Sequence, residues 1–171
     1  MGCGKSTTAK KLAKLTKLDV IDTDALIEER EKMSIKDIFA LKGEEYFRHL
    51  ECKLRDELAS KSGFIISCGG GFANLEDLKK LGFVIFLDLN FYQIANRLKN
   101  DTKRPKFDNN AKALYDKRLP IYNAICDIKI NPTIIKAKDL VKILEVFLDE
   151  NFTNDDKKAF IKSNKIIDNN F

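Results

Sequence analysis

The first seven residues contain residue types that bind a phosphate chain. The run from Gly2 to Thr7 matches the end of the pattern G-x-x-x-x-G-K-[ST], in which glycines let backbone N–H groups turn toward an anion. The lysine places a charge on the β- and γ-phosphates, the serine offers a hydroxyl to Mg²⁺, and the following helix adds its dipole. A short run of this kind can also arise by chance before a helix. The candidate nucleotide-binding residues are Gly2, Cys3, Gly4, Lys5, Ser6 and Thr7.

Part of that pattern would lie before Met1, namely its first glycine and the apolar strand that usually precedes it. In a doubly wound sheet this strand is usually central, and without it the neighbouring strands keep unpaired backbone groups. We expect Met1 to be an internal methionine of a longer natural chain, through a mis-assigned start or a truncation. An intact mass of the natural protein equal to that of this sequence alone would contradict the expectation.

Two carboxylates follow the next apolar segment. Asp22 and Asp24 are two residues apart, a spacing that puts both side chains on one side of a strand. Neighbouring carboxylates repel each other unless a cation or a proton lies between them, and a metal-bound nucleotide supplies that cation. We therefore predict that Asp22 faces Mg²⁺ and that Asp24 faces an acceptor hydroxyl. The alternative is that both are turn and N-cap acids of the following helix.

A glycine triplet, Gly69-Gly70-Gly71, follows the apolar segment 64–67. Glycines allow a backbone to approach a ligand where any side chain would intrude. The alternative is a flexible turn between a strand and a helix.

Apolar periodicity predicts short buried strands that alternate with amphipathic helices, which is typical of an α/β domain with a parallel sheet covered on both faces. The predicted strands are 18–22, 64–67, 83–87 and 127–130. The predicted helices are 5–15, 25–31, 35–41, 45–60, 75–81, 92–99, 111–119 and 138–148. Ser34 is a predicted N-cap and Gly43 a predicted break. The polar segment 100–110, which contains Pro105, is a predicted loop.

Composition narrows the class of protein. The 171 residues are 44% hydrophobic and 33% charged, which suits one folded domain and excludes a disordered chain. No apolar run approaches the roughly 20 residues of a membrane span, and the N-terminus lacks the apolar region of a signal peptide, so we expect a cytoplasmic protein. The net charge of +5 is spread along the chain, which does not favour nucleic-acid binding. Four cysteines without a C-x-x-C pair and one histidine do not favour a zinc site.

In order and spacing, these motifs together resemble the shikimate kinase family, from Gly2 to about Val146. The matching elements are Lys5-Ser6, Asp22-x-Asp24, Gly43-Glu44-x-x-Phe47-Arg48, Gly69-Gly70-Gly71, Arg104-Pro105 and Arg118-x-Pro120-x-Tyr122. The resemblance implies a three-layer P-loop kinase fold with a central parallel sheet, its first strand missing from this chain. It implies a kinase domain over 1–149, a lid at about 100–110 and a C-terminal extension over 150–171.

The resemblance also implies an activity, which is transfer of the γ-phosphoryl group of ATP to a hydroxyl of shikimate. The products would be shikimate 3-phosphate and ADP, on the route to aromatic amino acids, with Mg²⁺ as the cofactor. The partners would be ATP and shikimate, with neither nucleic acid nor membrane, and we expect a monomer.

The resemblance assigns roles residue by residue. The catalytic residues would be Lys5, Asp24 and Arg104. The substrate-binding residues would be Asp24, Arg48, Gly70, Gly71 and Arg118, with the two arginines on the carboxylate and with Phe39 and Phe47 lining the pocket. The nucleotide-binding residues would be those of the P-loop together with Arg97 and Arg104, and Asn131-Pro132 falls near the adenine loop. The metal ligands would be Ser6 and Asp22. Taken singly, arginines such as Arg97 and Arg118 are more typical of a protein surface.

Two other readings stay open. The nearest is another P-loop small-molecule kinase that acts on gluconate or a nucleotide. The other is a nucleotide-binding protein with impaired catalysis, which the absent strand and glycine would favour. Release of ADP from MgATP that depends on shikimate would separate the three.

Overall fold

The computed structural model describes residues 2–99 and 109–151, where four strands alternate with six α-helices. The strands are β1 (Asp19–Asp22), β2 (Phe64–Ser67), β3 (Ile85–Leu87) and β4 (Ile128–Ile130). The helices are α1 (Lys5–Thr16), α2 (Thr23–Glu31), α3 (Ile35–Ala59), α4 (Phe91–Leu98), α5 (Asn109–Ile125) and α6 (Ala137–Asn151). The predicted α/β class and its alternation of strands and helices are confirmed.

The strands form two parallel pairs. β1 pairs with β2 from Asp19↔Phe64 to Asp22↔Ser67, and β3 pairs with β4 from Ile85↔Ile128 to Leu87↔Ile130. Among the described residues no strand hydrogen-bonds β2 to β3, so the predicted central sheet is divided at that place. Within the described residues, each strand therefore has one edge whose backbone groups lack the ladder that a continuous sheet would provide.

Helices cover both faces of β2. Ile65 packs into a core that contains Leu12 of α1 and Leu140 of α6. The next residue, Ile66, points to the other face, because successive side chains of a strand alternate, and packs against the core built on α2 and α3. This arrangement confirms the prediction of a strand buried on both faces between layers of helices.

Helix α3 is broken at Gly43, as predicted. This residue has φ 85° and ψ 168°, a conformation that interrupts the helix and that glycine adopts without a Cβ penalty. The predicted N-cap is also confirmed, because the Ser34 hydroxyl accepts a hydrogen bond from the Asp37 N–H at 3.2 Å. The break lets the two halves of α3 run in different directions, each with its own buried face.

Two of the predicted helices differ from the structure. The predicted helix 75–81 is instead two 3₁₀ turns, Phe72–Asn74 and Leu78–Leu81. The predicted helix 111–119 begins at Asn109, within the predicted loop, and continues past Pro120 to Ile125. A proline lacks only one N–H, so the turns on either side can keep the helix intact. None of the helices in the described ranges is long and apolar enough to cross a membrane.

Candidate active site

The loop before α1 turns tightly at two glycines. Gly2 and Gly4 have φ 71° and 94°, in the left-handed region that favours glycine. Gly4 is the N-cap of α1 and makes no side-chain cap hydrogen bond. The first N–H groups of α1 are therefore available to an anion, at the positive end of the helix dipole.

Helix α4 supports this loop from outside. A Cβ on Gly2 would lie 2.8 Å from Leu98 Cδ1, so the packing of α4 also requires glycine there. Arg97 Nη1 donates to the Cys3 carbonyl at 3.2 Å, and Lys5 Nζ lies 4.0 Å from Cys3 Sγ. Two of the three predicted nucleotide-binding cations, Lys5 and Arg97, thus lie at the loop. Thr7 is exposed in the first turn of α1.

Three oxygen-bearing side chains meet beside the loop. The Ser6 hydroxyl donates to Asp22 Oδ2 at 3.1 Å and lies 3.5 Å from the Ser67 hydroxyl. Ser6 and Asp22 were predicted from the sequence, whereas Ser67, buried at the end of β2, was not. Carboxylate and hydroxyl oxygens are the donors that Mg²⁺ prefers, so the chemistry of this group fits a magnesium ion.

The two acids do not share a strand, and that part of the prediction is wrong. β1 ends at Asp22, whereas Asp24 lies in the first turn of α2. Asp22 is the N-cap of α2, as the alternative interpretation predicted, because its Oδ1 accepts from the Ala25 N–H at 3.4 Å. Its Oδ2 accepts from the Ser6 hydroxyl. The start of a helix thus separates the two carboxylates.

Asp24 lies in a partly buried and negatively charged environment. Burial raises the pKa of its carboxyl above 3.8, the Asp22 carboxylate raises it further, and the Lys5 ammonium opposes the rise. A carboxylate with a raised pKa is a stronger base, as proton transfer from a hydroxyl requires. The neighbouring Thr23 fixes this turn, because its fully buried hydroxyl accepts from the Gly69 N–H at 2.8 Å.

Three side chains that were predicted to belong to the site converge on the glycine triplet, one on each glycine. A Cβ built on Gly69 would collide with Asp24 Oδ1, and one on Gly71 would collide with Arg48 Nη1. A Cβ on Gly70 would lie 2.6 Å from Arg118 Nη1. None of the three glycines has a positive φ. Glycine is therefore required here by the close approach of these side chains and not by an unusual backbone conformation. One carboxylate and two guanidinium groups therefore border the same short stretch of backbone.

Arg48 is held by two carboxylates of its own helix. Its Nη1 donates to Glu51 Oε2 at 2.6 Å, and its Nη2 donates to Glu44 Oε1 at 2.6 Å. Glu51 is 1% exposed, and its Oε1 has no hydrogen-bond partner among the residues that the structure describes. Burial raises the pKa of Glu51, and the hydrogen bond from Arg48 opposes that rise. The sequence analysis missed Glu51, although its spacing of three residues from Arg48 could have indicated it.

Two aromatic side chains provide an apolar wall next to Arg48. The rings of Phe39 and Phe47 lie 4.9 Å apart between centroids, and the Arg48 guanidinium lies 5.5 Å from the Phe47 ring centroid. Phe39 precedes the break at Gly43 and Phe47 follows it, so the bend in α3 brings the two rings together. The two rings that the family resemblance places along the acceptor pocket thus lie side by side.

A separate cavity of about 330 Å³ lies between α1, β4 and the start of α6. Its lining includes Thr8 and Lys11 of α1 and the predicted adenine-loop residue Pro132. Ile130 and Ile135 add apolar surface, so the cavity can accept a flat apolar ring within one or two helical turns of the P-loop.

Some predicted features lie outside the described residues. They are Arg104, most of the predicted lid and the extension after Asn151.

Comparison with known proteins gives one family. The family model described as shikimate kinase matches residues 1–148. A shikimate kinase of Sulfurihydrogenibium sp. is 41% identical over 155 residues, which are 84% of this chain and 93% of the relative. A shikimate kinase of Clostridium botulinum (strain Loch Maree) is 38% identical over 146 residues, covering 77% and 86%.

Solved structures of the same family have a similar fold. A shikimate kinase from Acinetobacter baumannii in complex with shikimate superposes with a TM-score of 0.75 at 28% identity, covering 90% of this chain and 91% of that one. Shikimate kinase from Aquifex aeolicus gives a TM-score of 0.72 at 32% identity, covering 88% and 93%.

Proposed function

The chain belongs to the shikimate kinase family, and from this we propose that it transfers the γ-phosphoryl group of ATP to a hydroxyl of shikimate. The products are shikimate 3-phosphate and ADP. The observation that carries the proposal is the convergence of Asp24, Arg48 and Arg118 on three consecutive glycines, beside a P-loop. A ligand with one carboxylate and several hydroxyls matches two guanidinium groups and one carboxylate.

The two arginines hold the carboxylate of the acceptor. A guanidinium presents paired N–H donors that match the two oxygens of a carboxylate, and two such groups fix both its position and its orientation. Each charge-assisted hydrogen bond contributes about 1.5–3 kcal/mol net. Arg48 approaches from α3 and Arg118 from α5, and the backbone of Gly70 and Gly71 lies between them.

Asp24 orients the reacting hydroxyl and accepts its proton. Its raised pKa favours this role, and its contact with Gly69 puts it at the same end of β2 as the arginines. Phosphoryl transfer asks a protein mainly for positioning and for stabilisation of charge. Holding the hydroxyl and the γ-phosphate in line can lower the barrier by about 7–11 kcal/mol.

ATP binds at the P-loop. Backbone N–H groups of the loop and the start of α1 bind its phosphates, Lys5 adds a charge at the β- and γ-phosphates, and Arg97 contributes from α4. Arg104 keeps the role that the family resemblance implies, contact with the phosphate in transfer. The cavity beside Pro132 and Lys11 suits the adenine base.

Ser6 and Asp22 would hold the magnesium ion, and Ser67 would support them from β2. Bound there with ATP, Mg²⁺ would neutralise part of the charge on the phosphates. Because Asp22 also caps α2 through its other oxygen, the magnesium site and the turn that carries Asp24 are built on one side chain.

The partners follow the expectations from the family resemblance, and the location follows the expectation from composition. We propose a monomer that acts in the cytoplasm on two small molecules. A gluconate or nucleotide kinase is not favoured, because the relatives across most of the chain are shikimate kinases.

The test is release of ADP from MgATP by the purified chain, with and without shikimate. We expect release that depends on shikimate and that gluconate and nucleoside monophosphates do not support. Asp24→Asn is the matched control, because it keeps the size of the side chain and removes its basicity. Shikimate-independent release, or equal release with gluconate, would overturn the proposed acceptor.

A further inference from the structure

Tyr122 connects the glycine triplet to the helix that carries Arg118. Its hydroxyl donates to the Gly70 carbonyl at 2.8 Å, across 52 residues of sequence. Its ring packs on Phe86 of β3 with 5.3 Å between centroids. The ring is thus fixed by packing, and the hydroxyl is directed at the backbone of the triplet.

Arg118 lies on the same side of Gly70. Residues four apart share a helix face, and a Cβ on Gly70 would lie 2.6 Å from Arg118 Nη1 and 3.7 Å from the Tyr122 hydroxyl. Burial raises the pKa of Tyr122, and the charge of Arg118 together with a hydrogen bond from its guanidinium opposes the rise. The phenol therefore stays protonated at neutral pH and can donate to Gly70 while it interacts with Arg118.

The hydrogen bond to Gly70 also sets the direction of a neighbouring donor. In a planar trans peptide the carbonyl of one residue and the N–H of the next point to opposite sides. With the Gly70 carbonyl turned toward Tyr122, the Gly71 N–H points away from Tyr122. Within the described residues, the N–H groups of Gly70 and Gly71 donate to no protein acceptor. Three glycines in sequence have an otherwise permissive backbone, so this orientation needs a fixed partner.

We propose that Tyr122 is a positioning residue for the acceptor, holding the Gly70–Gly71 peptide and the Arg118 guanidinium in one fixed relation. The role rests on the proposed function, since the acceptor it positions is the hydroxy acid bound between Arg48 and Arg118. Tyr122 itself touches neither the phosphate nor the reacting hydroxyl. Its effect is on how well the carboxylate end of the acceptor is bound.

The test compares two deletions of a hydroxyl on the same helix. Tyr122→Phe removes the hydrogen bond to Gly70 and keeps the ring against Phe86. Tyr115→Phe is the matched control, because the Tyr115 hydroxyl donates to the Leu89 carbonyl at 3.2 Å. Both variants lose one hydrogen bond from a tyrosine of α5 to a backbone carbonyl, so a purely structural effect should be similar in both.

We expect Tyr122→Phe to raise the KM for shikimate by about 3- to 10-fold, the range for loss of one hydrogen bond. Its KM for ATP should stay within about twofold of the parent value, and Tyr115→Phe should change neither constant by more than that. An unchanged shikimate KM in Tyr122→Phe, or equal changes in both variants, would overturn the role.

A second readout does not depend on turnover. The chemical shifts of the Gly70–Gly71 peptide, its carbonyl carbon and its amide, followed by NMR, should change in Tyr122→Phe and not in Tyr115→Phe, because only the first variant loses the hydrogen bond to that carbonyl. If the parent chain showed no turnover with shikimate, the proposed acceptor would fail, and the chemical shifts alone would decide whether Tyr122 holds this peptide. Equal shifts in both variants would refute it.

Discussion

Gly71→Ala separates crowding from backbone strain at the candidate active site. Gly71 has φ −87° and ψ −19°, which alanine adopts freely, so the substitution strains no dihedral angle. The new Cβ would collide with Arg48 Nη1 and would lie 3.0 Å from its Cζ and 3.3 Å from its Nη2. The guanidinium would have to move away from the triplet, and with it the hydrogen bond to Glu51.

The magnitude follows from the bonds that Arg48 would lose. Displacing one guanidinium from the acceptor carboxylate removes at least one charge-assisted hydrogen bond, about 1.5–3 kcal/mol. At about 1.4 kcal/mol for each factor of ten, the KM for shikimate should rise by roughly 10- to 100-fold. Replacing glycine by alanine in a compatible conformation stabilises a fold by about 0.4–1 kcal/mol, and an off-rotamer arginine costs about 0.5–1.5 kcal/mol. These two effects nearly cancel, but the buried Glu51 carboxylate also loses its hydrogen bond from Arg48, so the Tm should fall.

The assay is steady-state kinetics in each substrate, together with a thermal unfolding scan. Gly82→Ala is the contrasting control, because Gly82 has φ 121° and no atom within 4 Å of its Cβ position. That variant should lower the Tm and leave both KM values unchanged. A folded Gly71→Ala protein whose shikimate KM lies within threefold of the parent value, well short of the range of roughly 10- to 100-fold, would refute the close approach of Arg48 to the triplet.

Two further substitutions test the acids. Asp24→Asn should lower kcat by about 10²–10⁴-fold and leave ATP affinity, measured by calorimetry, unchanged; near-parental turnover would remove Asp24 as the proton acceptor. The pKa of Asp24 is raised in the folded protein. The stability that the protonated carboxyl contributes is therefore complete at a pH below its pKa in the unfolded chain, and it is lost as the pH rises through its pKa in the folded protein. The free energy of unfolding of Asp24→Asn should therefore rise relative to that of the parent as the pH is raised from acidic to neutral. A difference between the two proteins that does not depend on pH would contradict the raised pKa of Asp24. Asp22→Asn should raise the KM for MgATP by about tenfold or more. It should lower the Tm little, because the amide oxygen of asparagine can still cap α2. A large loss of Tm at an unchanged KM would instead indicate that Asp22 has a structural role.

The sequence could predict those parts of the site that depend on local pattern. The glycines before Lys5, the triplet after β2 and the break at Gly43 each reflect a backbone requirement that is visible in a few residues. Most strands and helices were predicted within a few residues, because apolar periodicity reports the buried face directly.

Other parts of the site depend on contacts that no local pattern contains. Thr23 binds the amide of Gly69 across 46 residues, and Ser67 meets Ser6 across 61 residues. Both are small polar residues, which are common at turns and strand ends. The error at Asp24 has a similar origin, since helix α2 begins two residues before its predicted start and takes the second carboxylate off the strand. The division of the sheet also depends on how strands far apart in sequence pair with one another.

The two cores on either face of β2 have a consequence for how ligands affect the protein. Asp24 and Arg48 lie on helices that pack into one core, whereas Lys5 begins the helix that packs into the other. Regions with separate cores can open as separate cooperative units. A ligand bound only to the folded state stabilises every element that it contacts. Acceptor and nucleotide, when both are bound, therefore couple the two units. Local unfolding of either unit would release the substrate that its residues bind.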